Sequence, residues 1–146
     1  MTRPLRGLLL AALLLGVLAA IPGPVAAEGS RRAHDRKLPR TRRLTRGSEI
    51  RAVLERGKRS RTAHLDVWNS PSPVSQCRVG LIVPRHGHRA VDRNRLKRRL
   101  REIIRQDVLP SEHGLDIIVK AAPSAYAVPF GDLRTEVNGV LGRLMS

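Results

Sequence analysis

Between Arg85 and Arg105 the chain places nine Arg and Lys residues and only two acids, Asp92 and Glu102. Cationic side chains at that density suit one chemistry above others, the holding of phosphate, and the planar guanidinium does so through two parallel N–H donors. Placement matters more than number. At about 100° per residue, Asn94, Lys97, Arg98, Arg101 and Arg105 fall in one arc beside an apolar stripe of Leu96, Leu100, Ile103, Ile104 and Val108. Arg95 and Arg99 flank the stripe on its other side. A merely solvated helix face mixes signs in i,i+4 pairs, whereas this one has a single acid near its middle, Glu102. The pattern points to a nucleic-acid-binding face. Arg93 projects toward the apolar side, so for it a salt bridge or a hydrogen bond to a sheet edge stands beside phosphate contact.

Other chemistries find less support. His86 and His88 flank Gly87, but two histidines without a second ligand cluster make a poor metal site, and loop or phosphate contact fits them better. Cys77 sits on the apolar face of an alternating run, which suits a small core residue rather than a nucleophile; as the one cysteine it cannot close an internal disulfide. A two-metal nuclease needs clustered carboxylates, and Asp66, Asp92, Glu102 and Asp116 are dispersed. No Gly-x-Ser-x-Gly or phosphate-cradling glycine loop is present. The polypeptide is therefore expected to supply no catalytic residue and to bind no metal tightly. With 28 Lys and Arg against 12 Asp and Glu in 146 residues, a polyanionic partner is the expectation. Three aromatics (Trp68, Tyr126 and Phe130) are too few for binding that rests on stacking platforms.

The elements that must position these residues follow from periodicity. A short helix is predicted from Gly47 to Arg56, capped by Ser48 or Gly47 and closed by a left-handed Gly57. Arg61–Asn69 alternates as a half-buried strand, with Leu65 and Val67 on one face and His64, Asp66 and Trp68 on the other. Pro71 and Pro73 turn the chain. Cys77–Val83 is a second strand, which Pro84 ends or places at an edge. Asp92–Leu109 is the basic helix, N-capped by Asp92 and stopped by Pro110. Leu115–Ala121 is a third strand, and Pro129–Leu144 a last helix. The expected fold is a small α/β (α+β) sandwich in the order α-β-β-α-β-α, helices packed on a short sheet.

The first 27 residues differ in kind. Arg3 and Arg6 precede an apolar run from Gly7 to Ile21, and Val25-Ala26-Ala27 offers small residues at a cleavage position. That is the layout of a secretory signal peptide, and the run is shorter than the roughly 20 residues a spanning helix needs. Residues 28–37 read as a basic linker, and 38–146 as the working domain. The alternative is a misassigned start; since Met occurs only at positions 1 and 145, a shorter product would need a non-AUG start codon.

The run Ala90-Val91-Asp92-Arg93-Asn94-Arg95-Leu96-Lys97-Arg98-Arg99-Leu100-Arg101-Glu102 resembles the signature of the bacterial ribonuclease P protein component. Arg42-Arg43-Leu44, Arg78-Val79-Gly80 and Arg85 agree in order, and the resemblance extends over about Leu38 to Leu144. It implies a left-handed strand–helix–strand crossover, where composition and topology alone would suggest the usual right-handed one. It implies that a catalytic RNA does the chemistry with Mg²⁺, and that the protein assists removal of the 5′ leader of precursor tRNA. Arg93, Asn94, Arg95, Lys97, Arg98 and Arg101, with Arg105 and Arg85 nearby, would then contact the catalytic RNA or order phosphates near the cleavage site. A cleft between the first helix and the sheet, lined by Ile50, Leu54 and Trp68, would take the leader. Family members often carry aromatics where this chain has Ile50 and Leu54. Stacking would then rest on Trp68, for which a core role stands equally open. The resemblance implies a cytoplasmic protein, in conflict with the signal-like residues 1–27. A non-catalytic RNA-binding or ribosome-associated protein, or an exported cationic protein, are the alternatives.

Overall fold

The computed structural model describes residues 37–111 and 113–146. The signal-like leader 1–27 and all of the basic linker except Lys37 lie outside the described residues.

Three helices pack on one four-stranded sheet. Helix α1 spans Gly47–Arg56, α2 Ala90–Ile103 and α3 Phe130–Met145; the strands are β1 Lys58–Arg61, β2 Leu65–Pro71, β3 Arg78–Ile82 and β4 Leu115–Ala121. The sheet order is β1-β2-β4-β3, antiparallel except for the parallel pair β3 and β4. The element order is thus α-β-β-β-α-β-α, one strand more than the periodicity indicated. The strand expected at Arg61–Asn69 is two. The chain folds back where the Thr62 amide donates to the Leu65 carbonyl at 2.8 Å and the Thr62 hydroxyl accepts from the Leu65 amide at 3.0 Å. Its first arm, Lys-Arg-Ser-Arg, has no apolar residue to alternate and left no periodic mark.

The main core lies between the sheet and the two later helices. Leu65, Val67, Cys77, Val79, Ile117 and Val119 meet Leu96, Leu100, Ile103, Ile104 and Val108 of the basic helix and Leu133, Val137 and Val140 of α3. The predicted apolar stripe is buried along its whole length. The opposite face of the sheet carries a smaller cluster: Leu44, Val53 and Ile118, with Ile50, Leu54, Trp68 and Ile82 half-buried around them. One sheet therefore separates the basic helix from α1.

The crossover β3–α2–β4 is left-handed. Val79 turns its side chain toward α2 and its carbonyl away from β4, accepting from the Leu44 amide at 3.0 Å. For an L-residue so oriented, with α2 toward the viewer and β3 running upward, β4 lies to the left. The resemblance implied this hand against the general rule.

Several end details differ from expectation. Arg46, not Ser48 or Gly47, stands at the N-cap of α1 and makes no side-chain cap. Gly57 is extended, with φ −73°, rather than left-handed. Its lack of a side chain has another cause, since a Cβ there would stand 2.3 Å from the Val53 carbonyl oxygen. Helix α2 starts two residues before Asp92, with Arg89 at the cap, so Asp92 lies in the first turn. An acid there still interacts favourably with the helix dipole. The helix does not run evenly to Leu109: Ile104–Val108 forms one wide turn closed by Leu109 N–H on the Ile104 carbonyl at 2.9 Å.

Candidate nucleic-acid interface

Helix α2 buries Leu96 and Leu100 and holds its cations out of the core. Asn94, Arg95, Arg98 and Arg101 are exposed, while Lys97 and Arg99 are half-buried. Burial lowers the pKa of Lys97 from the usual lysine value, and the charges of Arg101 and Arg93 push it the same way. Like charges thus crowd one another along this side of the helix. Such crowding disfavours the free protein and is relieved by a polyanion. The candidates are not equivalent. Arg93 donates its Nε–H to the Val83 carbonyl at 2.7 Å, the sheet-edge bond foreseen as its alternative role. Arg105 lies in the wide turn and pairs with Glu102 at 2.6 Å, which also accepts from Gln106. Arg85 is exposed at the start of the loop into α2. That loop turns through left-handed backbone at His86, φ 47°, and Gly87, φ 82°. Glycine adopts such a conformation readily and histidine at some cost.

Ile50, Leu54 and Trp68 come together on the opposite face of the sheet, all half-buried. Trp68 packs against the smaller cluster and still has exposed surface, so the two roles left open for it are compatible. The Arg59 guanidinium stands 5.1 Å from its ring centroid, a cation–π distance. Register places Arg59 beside Trp68, and Asp66 between Arg61 and Lys120. Asp66 pairs with Arg59 at 3.0 Å and Arg61 at 3.1 Å. The apolar patch is thus rimmed by cations on β1 and β4. A separate cavity of about 430 Å³ lies along the other flank of α1, lined by residues including Glu49, Val53, Arg78 and Asp116. There Arg78 donates to both oxygens of the buried Asp116, at 2.9 and 2.7 Å, and to Glu49 at 3.0 Å, fastening α1 to the sheet.

Some residues of consequence left no mark in the sequence. The Glu49–Arg78–Asp116 cluster depends on strand register, which pairs Arg78 with Asp116. His88 stacks on Tyr126, with ring centroids 3.9 Å apart and planes 7° from parallel, across 38 residues of chain. Cys77 is buried, and burial raises its thiol pKa, as befits an inert core residue. Among the described residues no group of three or more His, Cys, Asp and Glu could hold a metal ion. No helix among them is long and apolar enough to cross a membrane.

Residues 38–145 match the protein family Ribonuclease P. The ribonuclease P protein component of Acidothermus cellulolyticus is 40% identical over 111 residues, covering 73% of this chain and 91% of its own length. That of Thermus brockianus is 34% identical over 125 residues, covering 84% of this chain and 74% of its own. Among solved structures, the RNase P protein from Thermotoga maritima aligns with a TM-score of 0.62 at 27% identity, over 69% of this chain and 96% of that one. The Staphylococcus aureus RNase P protein shares the fold, with a TM-score of 0.63 at 23% identity over 70% of this chain and 94% of its own. A cationic helix on a left-handed crossover, matched in sequence and in fold across the whole of its domain, places the chain in the family of ribonuclease P protein components, subunits of the ribonucleoprotein that processes the 5′ end of tRNA.

Proposed function

We propose that the chain binds the ribonuclease P RNA through α2 and holds the 5′ leader of precursor tRNA against the patch of Ile50, Leu54 and Trp68. The observation that carries the first half is the crowding of Lys97, Arg98 and Arg101 on one exposed side of a helix whose other side is buried. Phosphates of a structured RNA relieve that repulsion, with release of counterions. Asn94 lies on the same side and extends the contact, Arg95 would meet the RNA from across the apolar stripe, and Arg93 serves first to fix α2 to the end of β3. Arg105, paired with Glu102, contributes less, and Arg85 would approach RNA from the loop. For the leader, a half-exposed indole with Arg59 beside it offers one stacking surface, and cations offer phosphate contact. Mg²⁺ on this reading is held by the RNA–protein complex. The cations of α2 would repel the ion, and hard phosphate oxygens suit it. The polypeptide supplies binding and positioning, and the RNA the chemistry.

Trp68 is the one tryptophan of the chain, which makes the leader half directly measurable. Titration of the full chain with precursor tRNA should change its fluorescence, and mature tRNA should change it much less. Equal responses would leave a generic RNA binder in place of a leader-binding subunit. On this reading the working protein is cytoplasmic, where both RNA partners are. Residues 1–27 favour export instead, and N-terminal sequencing of the native protein decides between the two.

A further inference from the structure

Helix α2 has a second polar side, which the phosphate-binding row does not use. Between it and the turn Pro123–Ala127 runs a groove of about 330 Å³ whose lining includes His88, Asp92, Arg95, Arg99 and Tyr126. That volume lies at the low end of small-ligand sites, roughly 300–1,000 Å³, and suits one nucleotide rather than a strand. The aromatic part is rigid. His88 and Tyr126 stack at 3.9 Å, and the Tyr126 hydroxyl donates to the Pro84 carbonyl. Arg99 is steadied by the Val128 carbonyl, 3.4 Å from one guanidinium nitrogen. Asp92 is the unexpected member. It does not cap the helix, and among the described residues its carboxylate has no hydrogen bond or ion pair.

A site built for phosphate alone has no use for a carboxylate, which repels the ligand. A site that reads a base does. Unpaired RNA bases are recognised by stacking on aromatic rings and by hydrogen bonds along their edges. Guanine offers two adjacent N–H donors on its Watson–Crick edge, which one carboxylate accepts together. Its O6 and N7 accept from arginine. We propose that this groove binds an unpaired guanine nucleotide of the ribonuclease P RNA. Asp92 takes the Watson–Crick edge, the His88–Tyr126 pair stacks, and Arg95 and Arg99 bind the remaining acceptors or the phosphate. The proposal rests on the RNA-binding reading of α2 and adds a base-specific site to it.

Two measurements on the full chain decide it. In the first, guanosine and cytidine 5′-monophosphates are titrated separately against the ring resonances of His88 and Tyr126. The guanosine nucleotide should shift both rings, and the cytidine nucleotide far less. In the second, Asp92→Asn is compared with the unchanged protein for affinity to the ribonuclease P RNA. Binding should weaken about tenfold, as expected when one good bidentate pairing to a base is removed, although a negative charge has gone with it. A helix-dipole role for Asp92 predicts the opposite sign: lower melting temperature, but equal or tighter RNA binding. Equal or tighter binding therefore overturns the proposal, and so do ring shifts that fail to distinguish the two nucleotides. Selective shifts with unchanged RNA affinity would assign the groove to a free nucleotide, which also overturns it. Lys97→Gln with Arg101→Gln, run in parallel, reports on the other side of the helix. If that pair weakens binding and Asp92→Asn does not, the groove alone fails; the reverse leaves the groove and removes the phosphate row.

Discussion

Lys97 and Arg101 are the two cations on which the role proposed for α2 most directly rests. Lys97 is half-buried with its pKa depressed, while Arg101 is exposed and one turn further along. Replacing both with glutamine should weaken binding to ribonuclease P RNA and flatten its salt dependence by about 0.7 in log–log slope for each phosphate no longer neutralised. The slope measured between low and moderate salt checks this; an unchanged slope would show that neither side chain meets phosphate. At this scale much was legible, because helical period alone sorts Asn94, Lys97, Arg98 and Arg101 from the buried Leu96 and Leu100. It also showed that Arg93 leans toward the sheet. The period could not show that Arg105 would be drawn to Glu102, since a wide turn begins at Ile104 and changes the angle. Nor could it show that Asp92 would be left free by a helix starting at Ala90 rather than capping one.

Between elements, the contacts that set the frame are local clasps, each made by residues far apart in sequence. Glu136 of α3 closes the turn between β1 and β2, accepting from the Thr62 hydroxyl at 2.6 Å, the His64 amide at 3.1 Å and the His64 ring. Burial pushes its carboxyl up, but these donors and the His64 charge outweigh burial and hold it below the usual glutamate value. A carboxyl whose folded pKa lies below its unfolded one, about 4.3, stabilises fully above that value. The contribution is lost as pH falls through the folded pKa. Glu136→Gln should therefore lower stability at neutral pH by about 1–2 kcal/mol and make unfolding less steep in acid below about pH 4.3. Urea melts at several pH values check it; a variant with the parent's acid dependence would show that Glu136 is not the linked group. Gly57→Ala tests a second junction. Its Cβ would meet the Val53 backbone oxygen at 2.3 Å, and the expected loss is about 1–3 kcal/mol, read as a lower melting temperature. The helix and strand cores were readable from periodicity. The clasp at Thr62 was not, because β1 carries no apolar alternation and no local pattern announces a partner on α3 74 residues away.

At the largest scale, the described residues form one sheet with a different apolar cluster on each face. The face under α2 and α3 carries the larger core and anchors the cationic helix. The face under α1 carries a small, half-exposed cluster with the lone tryptophan and a cationic rim. That division follows from the alternation of β2, which sends Leu65 and Val67 one way and Asp66 and Trp68 the other. The left-handed crossover is a property of this scale alone. No residue type encodes it, and it became an expectation only through the resemblance carried by the signature on α2. On the proposed reading the two faces together make an auxiliary subunit, with the catalytic RNA against α2 and the leader of precursor tRNA against α1. The most direct test is cleavage of a precursor tRNA by a bacterial ribonuclease P RNA at low Mg²⁺, with and without the full chain. Restored cleavage at the mature 5′ end is the predicted result. Binding to the RNA with the cleavage rate unchanged would contradict the account.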